Sequence, residues 1–115
     1  NHPKIEKVFF PGTDKRHKEI AEKQMDGFGG MMSFVIDSDI NGVKTFLKNL
    51  NLFTLAESLG GVESLIEHPA IMTHASIDPS IREKLGISET LLRISVGIED
   101  VDDLISDLDQ ALSKI

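Results

Sequence analysis

The sequence predicts an α/β (α+β) fold, a small mixed or antiparallel sheet with helices mainly on one face. Three observations predict it. Apolar and polar residues alternate over residues 91–96, the period of a half-buried strand. The last segment of the chain carries an apolar stripe at helical spacing. Segments of these two kinds interleave along the chain, with no internal repeat or low-complexity linker between them.

In order, Val8, Phe9 and Phe10 form a short β-prone run closed by Pro11 and Gly12, a pair that fixes one φ and frees the next. Residues 15–23 favour a helix, although its apolar stripe, Ile20 with Ala21, is thin. The glycines of Gly27-Phe28-Gly29-Gly30 break the chain before a strand over 31–36, where Met32, Phe34 and Ile36 point one way and Ser33 the other. Ser38 or Asp39 caps the next helix, whose Ile40, Val43, Phe46, Leu47 and Leu50 recur at steps of three and four. Residues 51–55 are extended. Gly60-Gly61 separates them from a short helix over 62–66 that Pro69 ends, and 70–72 suit another brief strand. Asp78 caps a further helix with Pro79 in its first turn, and Gly86 closes it.

Within the strand at 91–96, Leu92, Ile94 and Val96 share one face, and Leu91, Arg93 and Ser95 the other. The final helix has Glu99, Asp100, Asp102 and Asp103 at its positive end and Lys114 at its negative end. Val101, Leu104, Ile105, Leu108, Ala111 and Leu112 make its stripe. With helices on one side, the face bearing Arg93 and Ser95 is left waiting for a partner.

The 115 residues, 40% of them hydrophobic, suit one domain with one core. A net charge of −7 and the lack of any Lys/Arg run exclude nucleic acid and anionic membrane as expected partners, since both require a basic face. Without cysteine there is no disulfide, thiolate metal site or thiol nucleophile, which fits a reducing compartment and a cytoplasmic location. The start of the chain has no signal-peptide character, and no stretch is long enough to cross a bilayer. Lacking an initiator methionine, the chain reads as a fragment of a longer polypeptide.

Several constellations invite chemistry. The glycines at 27–30 lack the further glycine of a dinucleotide fingerprint, since Met32 stands there, and a strand follows rather than a helix. Ser58 lacks the glycine two positions earlier that a hydrolase elbow needs, so a turn serine bonding nearby backbone is the plainer reading. Histidines 2, 17, 68 and 74 show no metal-ligand spacing. Glu63 and Glu67, four apart on the expected short helix, read as a solvated face rather than a catalytic dyad. Arg93 has two open readings: its planar fork matches a carboxylate such as that of an amino-acid substrate, or it serves an internal ion pair with one of the many acids.

Three blocks bring a resemblance. They are Leu52-Phe53-Thr54-Leu55-Ala56-Glu57-Ser58-Leu59-Gly60-Gly61-Val62-Glu63-Ser64-Leu65, then Pro69-Ala70-Ile71-Met72-Thr73-His74-Ala75-Ser76, then Gly86-Ile87-Ser88-Glu89-Thr90-Leu91-Leu92-Arg93-Ile94-Ser95-Val96-Gly97-Ile98-Glu99-Asp100. Together they resemble the cystathionine γ-lyase and γ-synthase family of pyridoxal-phosphate (PLP) enzymes, in the right order and over nearly the whole chain.

The resemblance implies that residues 1–115 are the C-terminal small domain of a fold-type I PLP enzyme, cut away from the N-terminal domain that holds pyridoxal 5′-phosphate on a lysine, and that the full enzyme is a homotetramer. It implies that Arg93 holds the substrate α-carboxylate, that Ser58 and the Leu59 backbone help position it, and that Thr73 lies close by. Glu57 suits the distal amino group of cystathionine and favours a γ-lyase of cysteine and methionine metabolism, yielding cysteine, 2-oxobutyrate and ammonia. A γ-synthase, acting by γ-replacement on an activated homoserine, shares these residues, and a non-catalytic binding module is the alternative of another class. No cofactor or catalytic residue is expected in this part, which alone is expected to be inactive and to self-associate through its exposed seam. Departures from the family pattern gather near the start, in Val8-Phe9-Phe10-Pro11-Gly12 and Thr13-Asp14-Lys15-Arg16-His17.

Overall fold

The computed structural model describes all 115 residues. Its elements run β1 (Ile5–Phe9), α1 (Lys15–Gln24), β2 (Met31–Ile36), α2 (Ile40–Lys48), β3 (Thr54–Leu55), β4 (Leu65–Glu67), α3 (Pro79–Lys84), β5 (Leu91–Ser95) and α4 (Val101–Leu112). They build a mixed five-stranded sheet in the order β1-β2-β5-β4-β3. Every pairing is antiparallel except β3 with β4. The α/β class and the mixed sheet match the expectation from sequence.

Alternation sets the two faces. Phe34 and Ile36 of β2, Ile66 of β4, and Leu92 and Ile94 of β5 meet Val43 and Phe46 of α2 and Leu104, Ala111 and Leu112 of α4 in one buried cluster. Phe34 and Phe46 touch edge to face, with ring centroids 6.3 Å apart. Asp39 caps α2 and Asp78 caps α3 as expected, and Asp100, read only as one of the acids at the positive end of the last helix, caps α4; each accepts from backbone N–H in the first turn. Gly86, at φ +78°, ends the α3 segment in the left-handed region that favours glycine. The helix α1 buries only Ala21 and α3 buries nothing, which agrees with the thin stripe read for residues 15–23.

Three expectations are corrected. The short helix over 62–66 is absent: Leu65, Ile66 and Glu67 form β4, held between β3 and β5 and buried on both faces. A strand covered on both sides loses its alternation. The apolar spacing Val62, Leu65, Ile66 then imitates a helix. Glu63 and Glu67 consequently share no helical face, for Glu63 is exposed and Glu67 is 1% exposed. The strand over 70–72 is instead part of a stacked turn, with the N–H groups of Ile71 and Met72 donating to the His68 carbonyl and that of His74 to the Pro69 carbonyl. In α4, Val101 and Ile105 of the expected stripe are exposed, while the polar Asp107 is buried.

Parallel neighbours cannot be joined by a tight hairpin, because the chain must leave the sheet to run back in the same direction. With α2 and α4 packed on one face, the connection over 56–64 arches over the other, where the N–H of Gly60 reaches the Oγ of Ser95. The face expected to be bare is thus partly roofed by the chain itself, and Ser95 is buried.

Candidate functional site

Beneath that roof, the strand register lines up Ser33 of β2, Arg93 of β5 and Glu67 of β4 across the sheet. The Arg93 guanidinium makes two contacts through Nη2: an ion pair of 2.7 Å with Oε2 of Glu67 and a hydrogen bond of 3.0 Å donated to the Glu57 carbonyl. Its side chain keeps 26% of its surface exposed. The Nε and Nη1 donors have no acceptor in the protein. Neither Glu67 oxygen sits in hydrogen-bonding geometry with any donor, so the Glu67 contact is one of opposite charge at close range rather than a directed bond.

Of the two readings open for Arg93, the internal ion pair is therefore present, and a second set of donors stays free beside it. Ser95, two residues along the strand, accepts from the Gly60 N–H at 2.7 Å. Arg93 and Ser95 together grip the loop at Glu57 and at Gly60, and hold between those points the exposed Ser58 and Leu59. Gly60 has φ +77°, a turn an L-residue enters only with strain.

Two carboxylates that sequence reading overlooked pin the chain, one at the end of the roof and one ahead of β3. At the far end Glu99 accepts from the backbone N–H of Ser64 at 2.8 Å and from its hydroxyl at 2.7 Å, while Gly97 donates to the same hydroxyl oxygen at 2.8 Å. The Ser64 N–H, and then its hydroxyl, hold the Glu99 carboxyl below the usual carboxylate value. Gly97 lies so close that a Cβ would stand 2.2 Å from the Val62 carbonyl oxygen. Ahead of β3, Asp107 of α4 accepts from the N–H groups of Asn51, Leu52 and Phe53 at 2.8, 2.8 and 3.2 Å. Burial works against ionising Asp107, but these three donors and the Gln110 amide outweigh it and hold its carboxyl below the ordinary 3.8.

Of the expected site residues, the structure brings Arg93 together with the loop that carries Glu57, Ser58 and Leu59, and engages the backbone of Glu57 rather than its exposed side chain. Thr73 lies apart on the turn before α3, where its hydroxyl is 2.7 Å from Nδ1 of His74 and makes no hydrogen bond to Arg93 or the loop. Arg82 of α3 braces that turn by donating to the carbonyls of Ala70 and His74. Glu67 went unrecognised because its strand was read as a helix; opposite charges directly across β4 and β5 were the signal, legible only once those strands are paired.

Structural comparison sets the class. The domain superposes with a TM-score of 0.92 on a cystathionine gamma synthase from Xanthomonas oryzae pv. oryzae in complex with aminoacrylate and cysteine, at 48% identity, covering 99% of this chain and 30% of that one. A cystathionine gamma-lyase from Lactobacillus plantarum complexed with L-serine gives 0.90 at 45% identity, covering 100% and 30%. The fold is that of the fold-type I PLP enzymes. The chain belongs to the Cys/Met metabolism PLP-dependent enzymes, whose family pattern it matches over residues 1–113.

It is 55% identical to a cystathionine gamma-lyase of Dictyostelium discoideum over 114 residues, 98% of this chain and 30% of that protein. It is 56% identical to a cystathionine beta-lyase of Lactococcus lactis subsp. cremoris over 111 residues, 96% and 29%. The chain thus spans about 30% of the length of the relatives it matches.

The residues present do not fit a PLP site. A Schiff-base lysine needs a sheltered ammonium, yet every lysine is exposed except Lys4, whose Nζ donates to the Ile115 carbonyl at the chain end. The glycines at 27–30 lead into β2, not into a helix N-terminus that could cradle a phosphate. No helix is long and apolar enough to cross a membrane.

Proposed function

We propose that residues 1–115 form the C-terminal small domain of a PLP-dependent cystathionine γ-lyase, and that this domain supplies the grip on the α-carboxylate of the substrate. The observation that carries the reading is the Arg93 guanidinium, fixed on one side by Glu67 and the Glu57 carbonyl and left with free N–H donors on the other. A carboxylate meeting those donors gains charge-assisted hydrogen bonds in a partly dry site. The exposed Ser58 hydroxyl and the Leu59 N–H, on the loop that Arg93 and Ser95 hold in place, supply further donors to the same group. Glu57, whose side chain points free of the protein's own partners, takes the distal amino group of cystathionine.

Thr73 enters this pocket from its separate turn when the remainder of the enzyme closes over the open face. That remainder is the N-terminal domain, which carries the cofactor and its lysine; its seat is the seam where Leu59, Val62, Val96 and Ile98 are exposed. The full protein assembles as a homotetramer in the cytoplasm, and this domain alone turns nothing over. The chain's own contribution is orientation, holding the amino acid by its carboxylate and its far amine so that the bond to be broken stands at a fixed place.

A γ-synthase remains the second reading, since the Xanthomonas γ-synthase superposes as well as the Lactobacillus γ-lyase does. The complete protein, assayed with cystathionine against an activated homoserine plus cysteine, separates the two by which reaction runs faster. For the carboxylate grip, Arg93→Lys is the informative change, because it keeps the charge facing Glu67 and removes the planar fork. The KM for cystathionine is expected to rise by about 10-fold or more, the loss of roughly one charged hydrogen bond. An unchanged KM would falsify the anchor role.

A further inference from the structure

We propose that Glu67 is a positioning residue for substrate binding, a built-in counter-carboxylate that sets the direction of the Arg93 guanidinium; this rests on the reading of Arg93 as the carboxylate anchor. Glu67 is 1% exposed and closes β4 directly opposite Arg93 in the antiparallel register. Its Oε2 lies 2.7 Å from Nη2, and no other cation stands within ion-pair distance of it. A buried carboxylate with a single compensating charge is a poor device for stability, since a well-packed apolar pair at the same place is as good or better. Its use must lie elsewhere.

The geometry assigns that use. Glu67 cannot swing aside, because its backbone is locked between β3 and β5 and its side chain is enclosed. An incoming carboxylate therefore cannot displace it and has to meet the guanidinium at Nε and Nη1. With Nη2 taken by Glu67 and the Glu57 carbonyl, the side chain is held by two contacts from two different segments. A long, flexible side chain that would otherwise sample many rotamers is ordered before the ligand arrives, and the ordering cost is met in folding rather than in binding. Charge follows the same arrangement: Arg93 and Glu67 together are neutral, so the site recognises a carboxylate by the direction of its N–H groups and does not collect anions through net charge.

The test uses the complete protein and three substitutions at position 67, with KM, kcat and melting temperature measured for cystathionine turnover. Glu67→Gln keeps the shape but removes the charge that holds Nη2, and is expected to raise KM by about 3-fold or more with the melting temperature held. Glu67→Leu fills the space without an acceptor and is expected to raise KM about 10-fold or more with kcat changed less than about 3-fold, the split that marks lost binding rather than lost chemistry. Glu67→Asp keeps the charge but draws it back by one methylene, and raises KM with the melting temperature held, so a poorly folding leucine variant leaves the question answerable. A counterion with a purely structural role would lower the melting temperature or the folded yield at unchanged KM. The proposal is overturned if the glutamine, leucine and aspartate variants bind substrate like the parent. Arg93→Lys in the same series separates the two readings: if it too leaves KM unchanged, the anchor itself is wrong, whereas a raised KM there beside unchanged values at position 67 removes only the role of Glu67.

Discussion

Replacing Asp107 by alanine tests the physical frame of the site without touching the site. Its carboxylate gathers three consecutive backbone N–H groups, those of Asn51, Leu52 and Phe53, at the entrance to β3. Asn51 and Leu52 are exposed, so water replaces the lost acceptor and each costs about 0.5 kcal/mol. Phe53 is 5% exposed, and its N–H, stripped of a charged acceptor, costs about 1–3 kcal/mol. The expected loss is about 2–4 kcal/mol, read by urea unfolding at pH 7, with amide exchange speeding up over 51–55. Asp107→Asn keeps one acceptor and falls between. The folded carboxyl of Asp107 lies below its ordinary 3.8, so its contribution is complete above about pH 4 and is lost as pH falls from there through the lower folded value. The asparagine variant should flatten that acid limb. A loss below about 0.5 kcal/mol in the alanine variant, the range of an unremarkable surface change, would refute the clamp.

Two further outcomes follow from the same geometry. Gly97→Ala drives a methyl against the Val62 carbonyl oxygen, so the β4 entrance must shift; unfolding should show a loss of about 1–3 kcal/mol, and the Ile98 N–H bond to Val62 should exchange faster. Asp100→Ala removes the acceptor for the Asp102 and Asp103 N–H groups at the start of α4 and should cost about 1 kcal/mol in the same unfolding measurement.

What the sequence disclosed, and what it withheld, divides by range of interaction. The starts of α2 and α3 were legible because a cap is local: Asp39 and Asp78 each bond backbone two or three residues ahead. β5 was legible because one face of it meets the core, so Leu92 and Ile94 alternate with Arg93. β4 was not, because Leu65, Ile66 and Glu67 are covered on both faces and no period survives. That single misreading hid the pairing of Glu67 with Arg93, which depends on two strands far apart in sequence being neighbours in space. The turn at 68–74 was opaque for a related reason, being braced by Arg82 from the following helix. Resemblance marked Arg93, Ser58 and Leu59 as a group; only the fold shows that Arg93 and Ser95 hold the loop they belong to.

The mixed sheet is itself the cause of that grouping. Had β3 and β4 been antiparallel, a hairpin in the plane of the sheet would have joined them and the open face would be bare. Because they are parallel, the connection must rise over a face, and α2 and α4 leave it only the side of Arg93 and Ser95. Glycine at 60 lets the arch turn, Arg93 and Ser95 hold it at Glu57 and Gly60, Glu99 fixes its end at Ser64, and Asp107 anchors the chain ahead of β3. The loop residues therefore owe their place to no regular structure of their own, yet are tied at three points to the rest of the fold. A lengthened connection over 56–64 that kept every named residue would loosen this arrangement.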